Sequence, residues 1–423
     1  MIHASRYKPR IFSVQGDVDD AEIDRAQAID PTITLNREKV EEIGREDVVG
    51  YLRRSPTIGY RLTQYEYGNI EFWQKLINTS TLGNVGQTAI DLDDFKTPYF
   101  DICAYLTDDD DTFRGTILYP NLRCSGFSLT IGEPQGIIER GFDFVGESAI
   151  IWQGDNKYYI SKKFTWASGD TYIDLGATGV QEPAVDPDKD STAYTDAQKY
   201  IFRVVKISGS TTTVLEADTD FEYSDSTKQL TFPTGKEPST GDVIKVYYTS
   251  ATAPDTMFAL NDADPAGLIG DSASIYLYIP ATGKPESTDY VYRLQSVTLE
   301  VTFDREDVRE IGNKDVVQRG IRTSTVTATL GRFLERFTVE EVLRGEAENY
   351  GKIDVEKFSD QIALIVKIYD DNTKTNFKYG FRATGLTPTE IRGGATIDEY
   401  TRKDISLEGE ELIITADSTV LGI

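Results

Sequence analysis

Histidine is almost missing from this chain: His3 is the single one among 423 residues. Ser-His-Asp triads, His-containing facial metal sites and Cys2His2 zinc sites all need imidazole, and the one histidine falls in the expected N-terminal arm, so those chemistries are not expected. Cysteine is scarce as well. Cys103 and Cys124 are the two present, too few for a zinc ribbon and wrongly spaced for a redox CxxC, and two reduced thiols are the expectation. Cations are outnumbered, with 44 Lys and Arg against 70 Asp and Glu and a formal charge of −26. Nucleic-acid binders gain affinity by releasing counterions through clustered Lys and Arg, so this chain repels polyphosphate instead of gripping it. Long apolar runs are lacking too. AIIW (149–152) and ALIV (363–366) fall far short of the ~18 residues of a membrane helix, and MIHASRYKPRIF has no apolar h-region. The expectation is a soluble chain with no membrane insertion and no Sec-type export.

Aromatics, by contrast, are plentiful at 11%, with 24 Tyr and 19 Phe, a composition of ordered globular proteins. At roughly 150 residues per domain the length allows about three domains. Self-comparison divides them. TLNREKVEEIGREDVV (34–49) and TFDREDVREIGNKDVV (302–317) are identical at ten of sixteen positions, where about one is expected by chance. DLDDF (91–95) lies opposite DVEKF (354–358), and FDFVGESAII (142–151) opposite ISLEGEELII (405–414). RIFSV (10–14) answers SIYLYI (274–279) more weakly. The division is an N-terminal arm (1–8), a first repeat (9–152), an insert (153–272), and a second repeat with a short C-terminal tail (273–423).

Each repeat shows strand and helix signals in one order. Val297, Leu299, Val301 and Phe303 alternate with Thr298, Glu300, Thr302 and Asp304, as Ile33 and Leu35 do with Thr32, Thr34 and Asn36, the period of a half-buried strand. A short helix is expected next, capped by Asn36 or Asp304 and ended by Gly44 or Gly312. A long strand follows: Thr323, Thr325, Thr327 and Thr329 face away from Val326, Ala328 and Leu330, mirrored by Thr57, Gly59, Arg61 and Thr63 against Ile58, Tyr60 and Leu62. A second helix begins at Thr338, with Glu341 completing a capping box, or at Asn69, with Trp73 as its core anchor. YFDICAYLT (99–107) and IALIVKIYD (362–370) run into acidic or Asn-containing turns suited to hairpins.

The insert reads as short strands between Gly, Asp, Pro and Ser clusters, the pattern of a small Ig-like β-sandwich. Asp186, Asp188 and Asp190 open like a calcium loop, but Ser191 stands where Gly is needed and Ala197 where a bidentate Glu is needed. No metal and no cofactor are expected. Tyr158, Tyr159, Phe164, Trp166 and Tyr172 alternate within strands and are expected in its core. Carboxylates abound, yet no pair stands out in a catalytic setting, and the acid run Asp108 to Asp111 is expected as a solvated turn. The chain is not expected to be an enzyme.

Two tandem open sheets leave unpaired edges, and edge pairing within the chain and then between chains removes them by closing a ring with a wet inner wall. The expected inner residues are Thr32, Thr34, Thr57, Arg61, Thr63, Thr298, Glu300, Thr302, Thr323, Thr325, Thr327 and Thr329. Arg6, Lys8 and Arg10 form a basic arm expected to reach an acidic face of the next ring.

The β-domain with one packed helix and the order strand, E-x-x-G segment (Glu41 to Gly44, Arg309 to Gly312 in the second copy), long strand, helix resemble the tail tube proteins of long-tailed bacterial or archaeal viruses. The likeness covers both repeats. It implies a mainly β fold of two tail-tube-like antiparallel sandwich or barrel domains, each with a packed helix, plus the inserted sandwich. It further implies homotrimeric pseudo-sixfold rings stacked into a virion tail tube, assembled in the host cytoplasm. The partners implied are further copies of the chain, a tape measure protein, a tail terminator and tail-tip proteins, with genomic DNA passing unbound. A contractile-tail or injection-system tube, and a multi-domain β surface or adhesion protein, are the alternatives.

Overall fold

The period-two alternation of the sequence is realised as a mainly β, antiparallel structure. The computed structural model describes residues 6–15, 21–23, 25–40, 50–53, 56–78, 89–108, 112–153, 157–177, 180–209, 211–253, 267–280, 294–309, 316–333, 343, 356, 358–359, 361–394 and 402–422. The first repeat comprises β1 (Arg6–Ser13), β2 (Ala21–Glu22), β3 (Ala26–Thr34), β4 (Arg37–Val40), β5 (Gly50–Arg53), β6 (Thr57–Tyr65), α1 (Glu71–Leu76), β7 (Ile90–Asp91), β8 (Phe100–Thr107), β9 (Phe113–Ile131), β10 (Ile138–Gly146) and β11 (Ile150–Gln153). The insert follows as β12 (Tyr158–Thr165), β13 (Tyr172–Asp174), α2 (Asp196–Tyr200), β14 (Ile201–Ser208), β15 (Thr211–Leu215), β16 (Glu222–Ser224), β17 (Gln229–Thr231) and β18 (Val243–Ser250). The second repeat supplies β19 (Ala273–Tyr278), β20 (Leu294–Arg309), β21 (Val316–Phe333), β22 (Ile362–Tyr369), β23 (Phe377–Gly394), β24 (Arg402–Gly409) and β25 (Glu411–Thr415).

Each repeat is two sheets sharing one long strand. The first half of β9 pairs with β8 and β11, and its second half with β10 and β20. β23 does the same with β22 and β25, then β24. The bend needs a left-handed residue, and equivalent positions provide it: Asn121 at φ 56° and Gly385 at φ 66°, residue types that bear this conformation at little cost. A bulge follows in both copies, skipping Ser125 opposite β10 and Thr389 opposite β24, and re-aims the second half of the strand.

The ladders also correct the repeat alignment. Thr34 pairs with Thr57 and Thr302 with Thr325, so Thr57 corresponds to Thr325 and not to Thr323. A two-residue slip preserves which face each side chain takes.

The second halves unite in one sheet of order β23-β24-β21-β20-β9-β10-β6-β3. Four strands of each repeat meet where β20 pairs with β9, Val297 opposite Ile131 through Thr302 opposite Gly126. Beneath the joint runs one apolar core. Trp73 is fully buried and packs edge-on against Phe127 and Phe142, both at 4.9 Å, and against Phe381 of the second repeat at 5.6 Å. It anchors α1 as expected, and it pins the two repeats together. The expected helix from Thr338 lies outside the described residues apart from Leu343. Fully buried Glu66 accepts from the Tyr379 hydroxyl across the joint and lies 3.4 Å from Arg140. Burial, with Glu66 beside it, pushes the Tyr379 phenol well above its ordinary range.

Three local expectations need correction. Residues 37–40 are strand and not helix, since β4 pairs antiparallel with β5, and β20 continues as strand through Arg309. Cross-strand pairing overrides the helix propensity of their Glu, Lys and Arg residues. Gly44 and Gly312 lie outside the described residues. The basic arm is also absent from residue 6 onward, because Arg6, Lys8 and Arg10 belong to β1, paired with Thr107, Tyr105 and Cys103 of β8. Finally, Ile33 and Leu35 are not covered, at 45% and 59% exposure, since among the described residues β3 ends the sheet and has no neighbour beyond β6.

The insert forms two small sheets, β12-β18-β14-β15 and β13-β17-β16. Tyr158, Tyr159 and Trp166 are buried and Phe164 is half-buried, whereas Tyr172, expected in the core, is 45% exposed at a short strand's outer face. The insert is docked on the first repeat. Phe12, Cys103, Tyr105 and Leu118, on the outer face of the β1–β8–β9 layer, share a core with Tyr159 and Tyr247. Both cysteines are buried and free, and burial raises the Cys124 thiol to about 12. Fully buried Asp101 accepts from Arg203 (3.1 and 2.9 Å), the Tyr159 hydroxyl (2.7 Å) and the backbone N–H of Asn121 (2.9 Å). Arg203→Ala leaves that carboxylate buried without its cation and should lower stability by about 3–5 kcal/mol. The double variant with Asp101→Ala should lose less than the sum of the singles. Denaturant unfolding of the three variants checks this.

Candidate functional site

The eight-stranded sheet has one apolar face on the core and one polar face. Its pairings align polar residues in rows that cross both repeats. One row runs Thr387, Glu408, Thr327, Glu300, Ser128, Gly141, Thr63, Ala28. A second runs Glu390, Ser406, Thr329, Thr298, Thr130, Glu139, and a third Thr325, Thr302, Gly126, Asp143, Arg61, Asp30. Thr323 stands opposite Asp304, Thr34 opposite Thr57, and Thr32 opposite Gly59. All twelve residues expected to line a wet wall therefore share one face of one sheet.

Their register explains this. Val297, Leu299, Val301, Val326, Ala328 and Leu330 are at most 1% exposed, whereas Glu300, Thr302, Thr323, Thr57 and Arg61 are exposed and Thr298, Thr325, Thr327, Thr329 and Thr63 half-buried. Side chains alternate strictly along a strand, so burying one set exposes the other.

The face is weakly interacting by composition. Hydroxyls and carboxylates fill the rows. Arg61, the cation in these rows, is 3.9 Å from Asp143, and Arg392, two residues along β23 from Glu390, is 2.7 Å from it. Partial burial raises the Asp143 carboxyl above its ordinary range, with Arg61 opposing. Among the described residues no cluster of His, Cys, Asp and Glu is arranged to hold a metal ion, and no helix is long and apolar enough to cross a membrane.

Arg6, Lys8 and Arg10 are not part of this face. β1 lies in the layer built on β8, where Lys8 and Arg10 are half-buried. Sequence reasoning missed the contributions of β9, β10 and β24, although Asp404, Ser406 and Glu408 alternate with Ile405 and Leu407. It also missed Arg305, which donates from Nε to the Cys124 carbonyl (2.5 Å) and from Nη2 to the Phe95 carbonyl (2.8 Å), tying β20 to the first repeat.

The two faces make opposite predictions for one cation. Glu300→Lys with Thr327→Lys should keep stability within about 1 kcal/mol of the parent, the cost of two like charges on paired strands. Leu299→Lys, one residue from Glu300, should prevent folding by burying an unpaired ammonium. Circular dichroism melts of both variants distinguish the faces.

No protein-family model matches the chain, and no curated protein matches it.

Proposed function

We propose that this chain is the tail tube protein of a long-tailed virus, polymerising as stacked rings of three chains into a hollow conduit for the genome. The observation that carries the reading is the joint between the repeats. β20 and β9 are not equivalent strands: β20 corresponds to β3, and β9 to β23. The contact is thus head-to-tail, and such contacts continue until a ring closes or a filament grows. The strands left at the ends of the sheet, β3 and β23, are the counterparts of the pair already joined. Three chains with two repeats each give a ring of six similar domains, and the polar face becomes the wall of its channel.

The wall's chemistry suits passage. DNA is held where Lys and Arg displace counterions from phosphates, and rows of Thr, Ser, Asp and Glu offer no such exchange. The placement of the insert favours a non-contractile tail. It covers the outer face of the β1–β8–β9 layer, on the far side of the core from the polar wall, where it would obstruct a sheath. The partners that fit are the chain itself, a tape measure protein, a terminator and tip proteins.

Glu300→Lys with Thr327→Lys tests the conduit. Particles with normal-length tails of this variant should eject DNA at least tenfold more slowly in low salt, with partial recovery in high salt as the added contacts are screened. Parental ejection rates at every ionic strength would remove the face from the channel.

A further inference from the structure

We infer that β3, the start of β4 and β11 form the docking surface for a second copy of this chain, received through its β23 edge and the Phe358–Ser359 segment. The inference rests on the tube reading and gives it a register. Its basis is a comparison of equivalent residues in the two repeats, one set covered inside the chain and the other bare.

Val301 and Phe303 of β20 are 1% and 3% exposed, covered by β9 and by Phe95, which stacks on Phe303 at 5.5 Å. Their counterparts in β3 and just beyond are Ile33 and Leu35, 45% and 59% exposed. The outer layer repeats the contrast. Ile414 of β25 is 1% exposed and pairs with Ile90 of β7, which crosses over from the first repeat. Its counterpart in β11 is Ile151, at 65% exposure. Isolated exposed apolar residues are ordinary on a protein surface. These three are instead the positions at which the other repeat has a neighbour.

A polar group follows the same rule. Arg305 reaches the Cys124, Phe95 and Lys96 carbonyls at 2.5, 2.8 and 3.4 Å. Its counterpart Arg37 is exposed. The equivalent carbonyls belong to Pro388, Phe358 and Ser359, beside an open polar hollow lined by Gln361, Thr387 and Thr389. Phe358 is only half-buried, where its counterpart Phe95 is 1% exposed. Ile33, Leu35 and Arg37 of the first repeat therefore have their receptors on the second, in Ile391, Phe358 and the Pro388, Phe358 and Ser359 carbonyls, at the opposite end of the sheet. One chain cannot satisfy both ends; the neighbouring copy can.

The internal register Val301 opposite Phe127 becomes Ile33 of one chain opposite Ile391 of the next. Ile33→Cys with Ile391→Cys in the full-length chain should, under mild oxidation, give a disulfide ladder ending at three chains. Each single variant should give none, and Cys103 and Cys124 are buried and stay out of the reaction. Arg37→Glu, on an exposed side chain, should retain the parental melting temperature and raise the concentration for half-assembly at least tenfold. Tubes that form without this cross-link, and unaffected by Arg37→Glu, would overturn the docking surface while leaving the tube reading intact. Cross-linked dimers from Ile33→Cys alone would replace it by a symmetric β3 contact. A parental chain that never assembles would bring down the tube reading and this inference together.

Discussion

The ladder between β20 and β9 joins two sheets that would each otherwise present an open edge to solvent. Because the strands come from different positions in the two repeats, the ladder does not end the assembly of the sheet but moves its open ends apart, to β3 and β23. The core follows. Trp73 touching Phe381, Phe95 stacking on Phe303 and β7 pairing with β25 all cross the same joint. A symmetric joint would have paired like edges and left two like edges at the ends, whereas the head-to-tail joint leaves unlike edges, β3 and β23, which is the complementary pair that the proposed polymer requires.

A second constraint is the division of labour between faces. Sharing β9 and β23 between two layers, with left-handed Asn121 and Gly385 at the bends, places an outer layer behind the polar sheet. In the first repeat that outer layer can then carry the insert, fixed by the buried Asp101–Arg203 pair. In the second repeat Leu421, near the chain's end, packs against Tyr278, Ala363 and Ile365 of the corresponding layer. Among the described residues the polar face holds rows of hydroxyls and carboxylates and no cluster arranged for a metal ion, which suits the proposed conduit for a polyanion.

Much of this was legible in the sequence, and the failures have physical causes. The duplication, the alternation in β6, β20 and β21 and the core role of Trp73 were read correctly because each depends on local pattern. The 37–40 segment was misread because Glu, Lys and Arg between a capping residue and a glycine satisfy every local rule for a helix, while its strand pairing with 50–53 is a longer-range contact. Ile33 and Leu35 show a different limit: alternation reports which face a residue takes, not whether anything covers that face. The polar-face residues of β9 were hidden by the bulge at Ser125, which shifts the phase of the alternation, whereas β10 and β24 carry no bulge and the plain alternation of β24 was overlooked. Arg305 was beyond reach, since its carbonyl partners lie about 180 to 210 residues away in the chain.

Electron microscopy of the purified chain at high concentration, combined with mass per unit length, tests the central claim most directly. The account predicts hollow tubes whose rings show six similar lobes around an open channel, with the mass of three chains per ring and the inserts on the outside. Particles that remain single chains at every concentration, or two-chain bodies with no channel, would contradict it.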